Sequence, residues 1–98
     1  MIFSTNSTST VLDPKAARGE YPEARIIVLD DNFNTFEHVA NCLVNIIPGI
    51  NKKISWDLTV KVDREGFAEV WRGPLEQAEL YHQLLESKGL TMAPIEKA

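Results

Sequence analysis

The sequence predicts an α+β domain in the order β-α-α-β-α-β, with three helices packed on one face of a small three-stranded antiparallel sheet. Three observations predict it. Two short runs, Arg25-Ile26-Ile27-Val28-Leu29 and Phe67-Ala68-Glu69-Val70-Trp71-Arg72, have the length and the β-branched or aromatic content of strands. The stretches after them carry apolar residues at helical spacing and stop at glycine, Pro48-Gly49 after the first and Gly89 after the last. Finally, 98 residues of which 44% are hydrophobic suffice for one compact core and no more.

Taken in order, the first strand begins at Ala24 and runs into the polar turn Asp30-Asp31-Asn32. Asn34, with Glu37 three residues later, has the spacing of an N-cap and capping box, and Phe36, Val39, Ala40, Leu43, Val44 and Ile47 form the apolar face of the first helix. Asn51 caps a second, shorter helix that ends near Val60, with Ile54 and Leu58 on one side and Lys52 and Lys53 set against the dipole at its start. Gly66 opens the second strand, and Gly73-Pro74 with Glu76 starts the third helix. Leu90 to Ile95 supplies a last short strand at a sheet edge, where Pro94 and its missing N–H are tolerated. Residues 1–23 are rich in Ser and Thr, contain Asp13-Pro14 and Gly19 and lack apolar periodicity, so they read as a disordered N-terminal extension to a core domain of residues 24–98.

A net charge of −4 and a pI of about 5.1 argue against the basic footprint of a nucleic-acid-binding domain and favour a cationic or amine-bearing partner. The single Cys42 excludes an intramolecular disulfide or a cysteine-built zinc site and reads as an inert core thiol in a reducing cytosol. No apolar run approaches the roughly 20 residues of a membrane span, and the start lacks the basic and apolar segments of a secretory signal. The expectation is a cytoplasmic monomer with no membrane or nucleic-acid partner, no metal and no cofactor. His38 and His82 fall on different helices and read as surface histidines, and no Ser/His/Asp, Cys/His or Gly-rich phosphate motif stands at usable spacing, which argues against an enzyme.

The segment Leu29-Asp30-Asp31-Asn32-Phe33-Asn34-Thr35 places two acids and an amide between a buried strand and a helix. Asp and Asn are ordinary turn and cap residues, so one reading is purely structural. A phosphoacceptor receiver domain also has a strand ending in an acidic pair that holds Mg²⁺, but the remaining chain is too short for its parallel sheet. A metal-dependent hydrolase would need a histidine near the acids, and His38 faces away from them. The last reading is capture of a free α-amino group, because an ammonium ion needs about three acceptors around it, with an apolar cavity alongside for the first side chain.

The stretch from residue 25 to residue 98 resembles the ClpS family, adaptors of the ATP-dependent Clp protease. The family's hallmark is a hydrophobic strand followed by Asn-Asp-Asp-aromatic-Thr-Pro-Met-Glu-aromatic-Val, and Asp30-Asp31-Asn32-Phe33-Asn34-Thr35-Phe36-Glu37-His38-Val39 stands in the same frame. Its second segment, Val-His-x-x-Gly before a strand, appears as Val62-Asp63-Arg64-Glu65-Gly66. The Ala-Glu pair of the last helix lies within Leu75-Glu76-Gln77-Ala78-Glu79, and the terminal Glu-Lys-Ala is Glu96-Lys97-Ala98. The departures at Asp30, Thr35, Phe36 and Asp63 resemble a divergent, cyanobacterial branch.

The resemblance implies a non-catalytic adaptor that binds N-degron substrates, proteins beginning with Leu, Phe, Tyr or Trp, and delivers them to the N-terminal domain of a ClpC- or ClpA-type AAA+ unfoldase for degradation by ClpP. The N-terminal extension would be engaged by the unfoldase. It implies that Asp30, Asp31 and Asp63 surround the substrate's α-amino group, with Asn32 and Asn34 supporting the turn. It implies a hydrophobic pocket of Phe36, Val39, Thr59, Val62, Thr91 and Met92, and unfoldase docking through Glu76 and Glu79, with Tyr81 where the family carries a basic residue. Three converging acids would raise at least one pKa in the empty site. A rigid ring at position 36 would shorten the pocket and favour Leu over Trp. The alternatives are a module that docks on an unfoldase or translation factor without binding N-degrons, and a domain like the C-terminal domain of the ribosomal stalk protein, which shares this general fold but carries a Lys-rich helix where this chain's last helix is acidic.

Overall fold

The computed structural model describes residues 22–98; the expected N-terminal extension lies almost wholly outside the described residues. Strand β1 (Glu23–Leu29), helices α1 (Phe36–Ile46) and α2 (Lys52–Glu65), strand β2 (Phe67–Pro74), helix α3 (Leu75–Ser87) and strand β3 (Glu96–Lys97) follow in the expected order. The sheet is antiparallel, with β1 central in the order β2-β1-β3. Among the described residues no helix is long and apolar enough to cross a membrane.

Alternation along β1 sends Ala24, Ile26 and Val28 to the helix-covered face, where they are almost fully buried, and leaves Arg25 and Leu29 on the other. The register breaks once: Ile26 pairs with Trp71 and Ile27 with Glu69, so Val70 is the extra residue of a bulge. The bulge turns both Val70 and Trp71 toward the helices, and the indole meets Tyr81 of α3 edge to face with ring centroids 5.1 Å apart. Gly73 has no side chain because the indole lies across it: an added Cβ would fall 2.6 Å from Cζ2 of Trp71. Leu43 and Ile47 from the α1 region, Val62 from α2, and Ala78 and Leu85 from α3 complete the core.

Several boundaries differ from the sequence expectation, each for a physical reason. The N-cap of α1 is Thr35, whose hydroxyl accepts the amide of His38, and not Asn34, whose amide is held elsewhere. Asn51 does cap α2, accepting from Ile54 N at 2.8 Å, but the helix continues past Val60 to Glu65 and stops at Gly66, which adopts φ 92°. Its buried stripe is Ser55, Thr59 and Val62, with Ile54 exposed. The two hydroxyls are satisfied inside the helix, Ser55 donating to Lys52 O and Thr59 to Ser55 O. Residues 90–95 are not a regular strand: Met92 bridges Val28 and Ala93 N donates to Ile27 O, but Pro94 has no N–H to continue the ladder, and regular pairing resumes only at Glu96–Lys97. At the other end β1 starts at Glu23, one position before the expected Ala24.

Candidate ligand-binding site

Where β1 ends, the chain is tied down on both sides: Leu29 N donates to Thr91 O and Asp30 N to Gly66 O, each at 2.9 Å. The acidic turn therefore starts from a fixed backbone. Asp31 then knots it. Oδ1 accepts the amides of Phe33 (2.9 Å) and Asn34 (2.8 Å), while Oδ2 accepts the side-chain amide of Asn34 (2.7 Å) and the hydroxyl of Thr91 (2.6 Å). Asn34 also donates to Gly89 O at 3.0 Å, so the turn is clamped to the chain after α3.

A carboxylate with two oxygens offers about four lone-pair sites, and these four donors occupy them. Thr91 foremost, then the backbone amide of Asn34, hold the Asp31 carboxyl far below the usual carboxylate range. At Asp31 these donors, and not repulsion from neighbouring acids, set the direction of the shift.

The turn opens onto a cavity of about 60 Å³ between the start of α1 and the end of α2. Asp30, Asp31, Asn34 and Asp63 supply its polar wall; Phe36, Val39, Thr59 and Val62 supply the other. The eight share one cavity with Leu29 and Thr35, neither of which was expected to line it. Asp63 lies on the last turn of α2 because that helix is longer than its sequence suggests, and both it and Asp30 are exposed. Three expected site residues are not among the lining: Asn32 is exposed on the turn, Thr91 turns its hydroxyl to Asp31, and Met92 packs against the core beside β1.

Behind Phe36, Trp56 of α2 stands edge to face with it, ring centroids 5.6 Å apart. Nothing in the spacing of the two residues announces this pair. Phe33, at 90% exposure, projects from the turn.

Glu76 and Glu79 are on α3, exposed and apart from this cavity, with Leu80 and Leu84 also exposed further along the same helix. Tyr81 is turned inward onto Trp71. The two histidines are not free surface groups. His38 Nε2 donates to Lys88 O and His82 Nε2 to Ala93 O, both at 2.8 Å. Cys42 Sγ lies 3.7 Å from His38 Nε2, but the thiol is buried, burial raises its pKa, and the imidazole proton is committed to a carbonyl, so the pair has neither the access nor the thiolate of a nucleophile. Among the described residues no group of three or more His, Cys, Asp and Glu is placed to hold a metal ion.

Fold and site together define a small binding domain: a polar and an apolar wall meeting in one cavity, without a catalytic constellation among the described residues. The family model for the ATP-dependent Clp protease adaptor protein ClpS matches residues 19–93. Over 96 residues the chain is 53% identical to the ATP-dependent Clp protease adapter protein ClpS of Nostoc sp., covering 94% of this chain and 99% of that one. It is 55% identical over 91 residues to the ClpS of Synechocystis sp., covering 93% and 87%, and 54% identical over 82 residues to that of Thermosynechococcus vestitus, covering 84% and 87%. The chain belongs to the ClpS family of ATP-dependent Clp protease adaptors. It is an adaptor and not an enzyme, and its near relatives are cyanobacterial.

Proposed function

We propose that this adaptor captures proteins by a free N-terminal residue with a hydrophobic side chain and presents them to a ClpC- or ClpA-type unfoldase. One observation carries the reading: the same cavity is lined by Asp30 and Asp63 on one side and by Phe36, Val39, Thr59 and Val62 on the other. A free N-terminal residue is an ammonium ion joined by one carbon to a side chain, and this wall arrangement complements both halves. Because Asp31 is occupied by internal donors, the ammonium is held chiefly by Asp30 and Asp63, and Asp31 acts as the positioning residue that fixes the turn. Phe36, with Val39, Thr59 and Val62, takes the side chain, favouring Leu over the bulkier Phe, Tyr and Trp in a cavity of about 60 Å³. The exposed acids Glu76 and Glu79 on α3 form the docking surface for the unfoldase's N-terminal domain.

Burying one large apolar side chain contributes about 1.5–3 kcal/mol, and each charge-assisted hydrogen bond about the same. After association costs this corresponds to binding on the order of micromolar, strengthened by the second contact with the unfoldase. The test is fluorescence anisotropy of short peptides beginning with Leu, Phe, Tyr, Trp or Ala, each beside its N-acetylated twin. Binding that requires both a free amine and a hydrophobic first residue supports the reading. Absence of binding by every peptide overturns it in favour of an adaptor that only docks on its unfoldase.

A further inference from the structure

A second cavity of about 260 Å³ lies between α1 and α2, with Ala40, Val44, Lys52 and Trp56 among its walls. On α2 the first cavity takes its wall from Thr59, Val62 and Asp63 and the second from Lys52, Ser55 and Trp56, while on α1 the first takes Phe36 and Val39 and the second Glu37, Ala40, Asn41 and Val44. The two cavities are therefore neighbours between the helices, offset along α2. Phe36 lines the first and Trp56 the second, and the two rings meet with an interplanar angle of 62° between them. The aromatic pair is the partition.

The geometry points to Trp56 as a specificity-determining residue that acts through Phe36. With the pair closed, the pocket ends at the Phe36 ring and accepts a short aliphatic first side chain. An aromatic first side chain reaches past that ring only when the pair parts and opens the first cavity toward the second. The partition is movable because Trp56 is 44% exposed and Phe36 only half-buried, so the pair is held by its mutual contact more than by the core around it. Such a contact is equivalent to about a two- to ten-fold factor in an equilibrium constant, which sets the size of the selectivity it imposes. The inference rests on capture of a free N-terminal residue at this site.

Three proteins distinguish the outcomes: wild type, Trp56→Ala, and Trp56→Phe, which retains an edge-to-face partner for Phe36. Affinities for Leu-first, Phe-first and Trp-first peptides are measured by competition, with acetylated controls and thermal unfolding of each variant. Trp56→Ala is expected to tighten binding of the Phe-first and Trp-first peptides about three- to ten-fold, with Leu-first changed less than about two-fold, while Trp56→Phe restores the wild-type ratio. An unchanged Leu-to-Phe ratio, or a uniform loss for all peptides in the folded variant, overturns the role of Trp56 and leaves the capture site standing. If wild type binds no free-amine peptide at all, both readings fall together.

Discussion

The hydroxyl of Thr91 donates to Oδ2 of Asp31 across 2.6 Å, joining residues 60 positions apart. It completes the set of donors around that carboxylate and makes the acidic turn and the segment after α3 a single rigid unit. Thr91→Val removes one donor and leaves a lone pair of a partly buried carboxylate without its partner. A loss of about 1–2 kcal/mol is expected in urea unfolding, with the Asp31 pKa moving back upward in a carboxylate NMR titration.

Asp31 also makes the domain acid-sensitive in a defined direction. Its carboxyl is held below the ordinary aspartate value of about 3.9. Stability from this shift is therefore fully present above about pH 4 and lost as pH falls through that value toward the folded-state pKa. Asp31→Asn is expected to be less stable at pH 7, by roughly 2 kcal/mol after allowance for solvent at the rim, and to show a flatter decline between about pH 4 and pH 2. A parallel decline in both proteins places the acid sensitivity elsewhere.

Asp30 and Asp63 should separate function from stability. Both are exposed, so Asp30→Asn and Asp63→Asn are expected to change unfolding free energy by less than about 0.5 kcal/mol. Each should nevertheless weaken a free-amine peptide about ten-fold, with no effect on its acetylated twin. Equal weakening of both peptides would mean that these acids do not contact the amine.

Gly73→Ala tests the packing of Trp71. The new methyl would fall 2.6 Å from Cζ2 of the indole, so the ring must leave its place against Tyr81 or the strand must shift. The expected cost is about 1–3 kcal/mol, with a changed Trp71 emission or near-ultraviolet dichroism signal. A variant as stable as wild type would show that the indole has room to move.

Charge reversal on α3, Glu76→Lys with Glu79→Lys, addresses the proposed docking surface. Both side chains are exposed and remote from the cavity, so peptide affinity and stability should stay as in wild type. Binding to an isolated unfoldase N-terminal domain is expected to fall at least about ten-fold, more at low salt than at high. Unaltered binding would move the contact to another face.

What the sequence revealed was local. The run Arg25 to Leu29, the Asn51 cap and the stop at Gly89 could be read because each is decided by neighbours a few residues away. The sequence reading ends α2 near Val60, whereas Gly66, in the left-handed conformation, is where the helix gives way. Asn34 looked like the cap of α1, and it would serve as one were its amide not claimed by Asp31 and by Gly89 O, 55 positions away. The acids of the site were legible by their types and by family resemblance. That Asp31 is saturated, that Thr91 faces it and not the cavity, and that Trp56 backs Phe36 all depend on contacts between distant segments, which no pattern along the chain encodes.

The floor of the proposed capture site is bonded to the chain at Gly66, Gly89 and Thr91, three places that follow it in synthesis order. The bonds that shape the turn thus include two to residues that follow the last helix. A chain cut short before Gly89 would keep Asp30, Asp31 and Asp63 but lack Gly89 O and the Thr91 hydroxyl that hold the turn between them. Under the proposed function, the ability to select a substrate is thereby tied to completion of the adaptor's own fold.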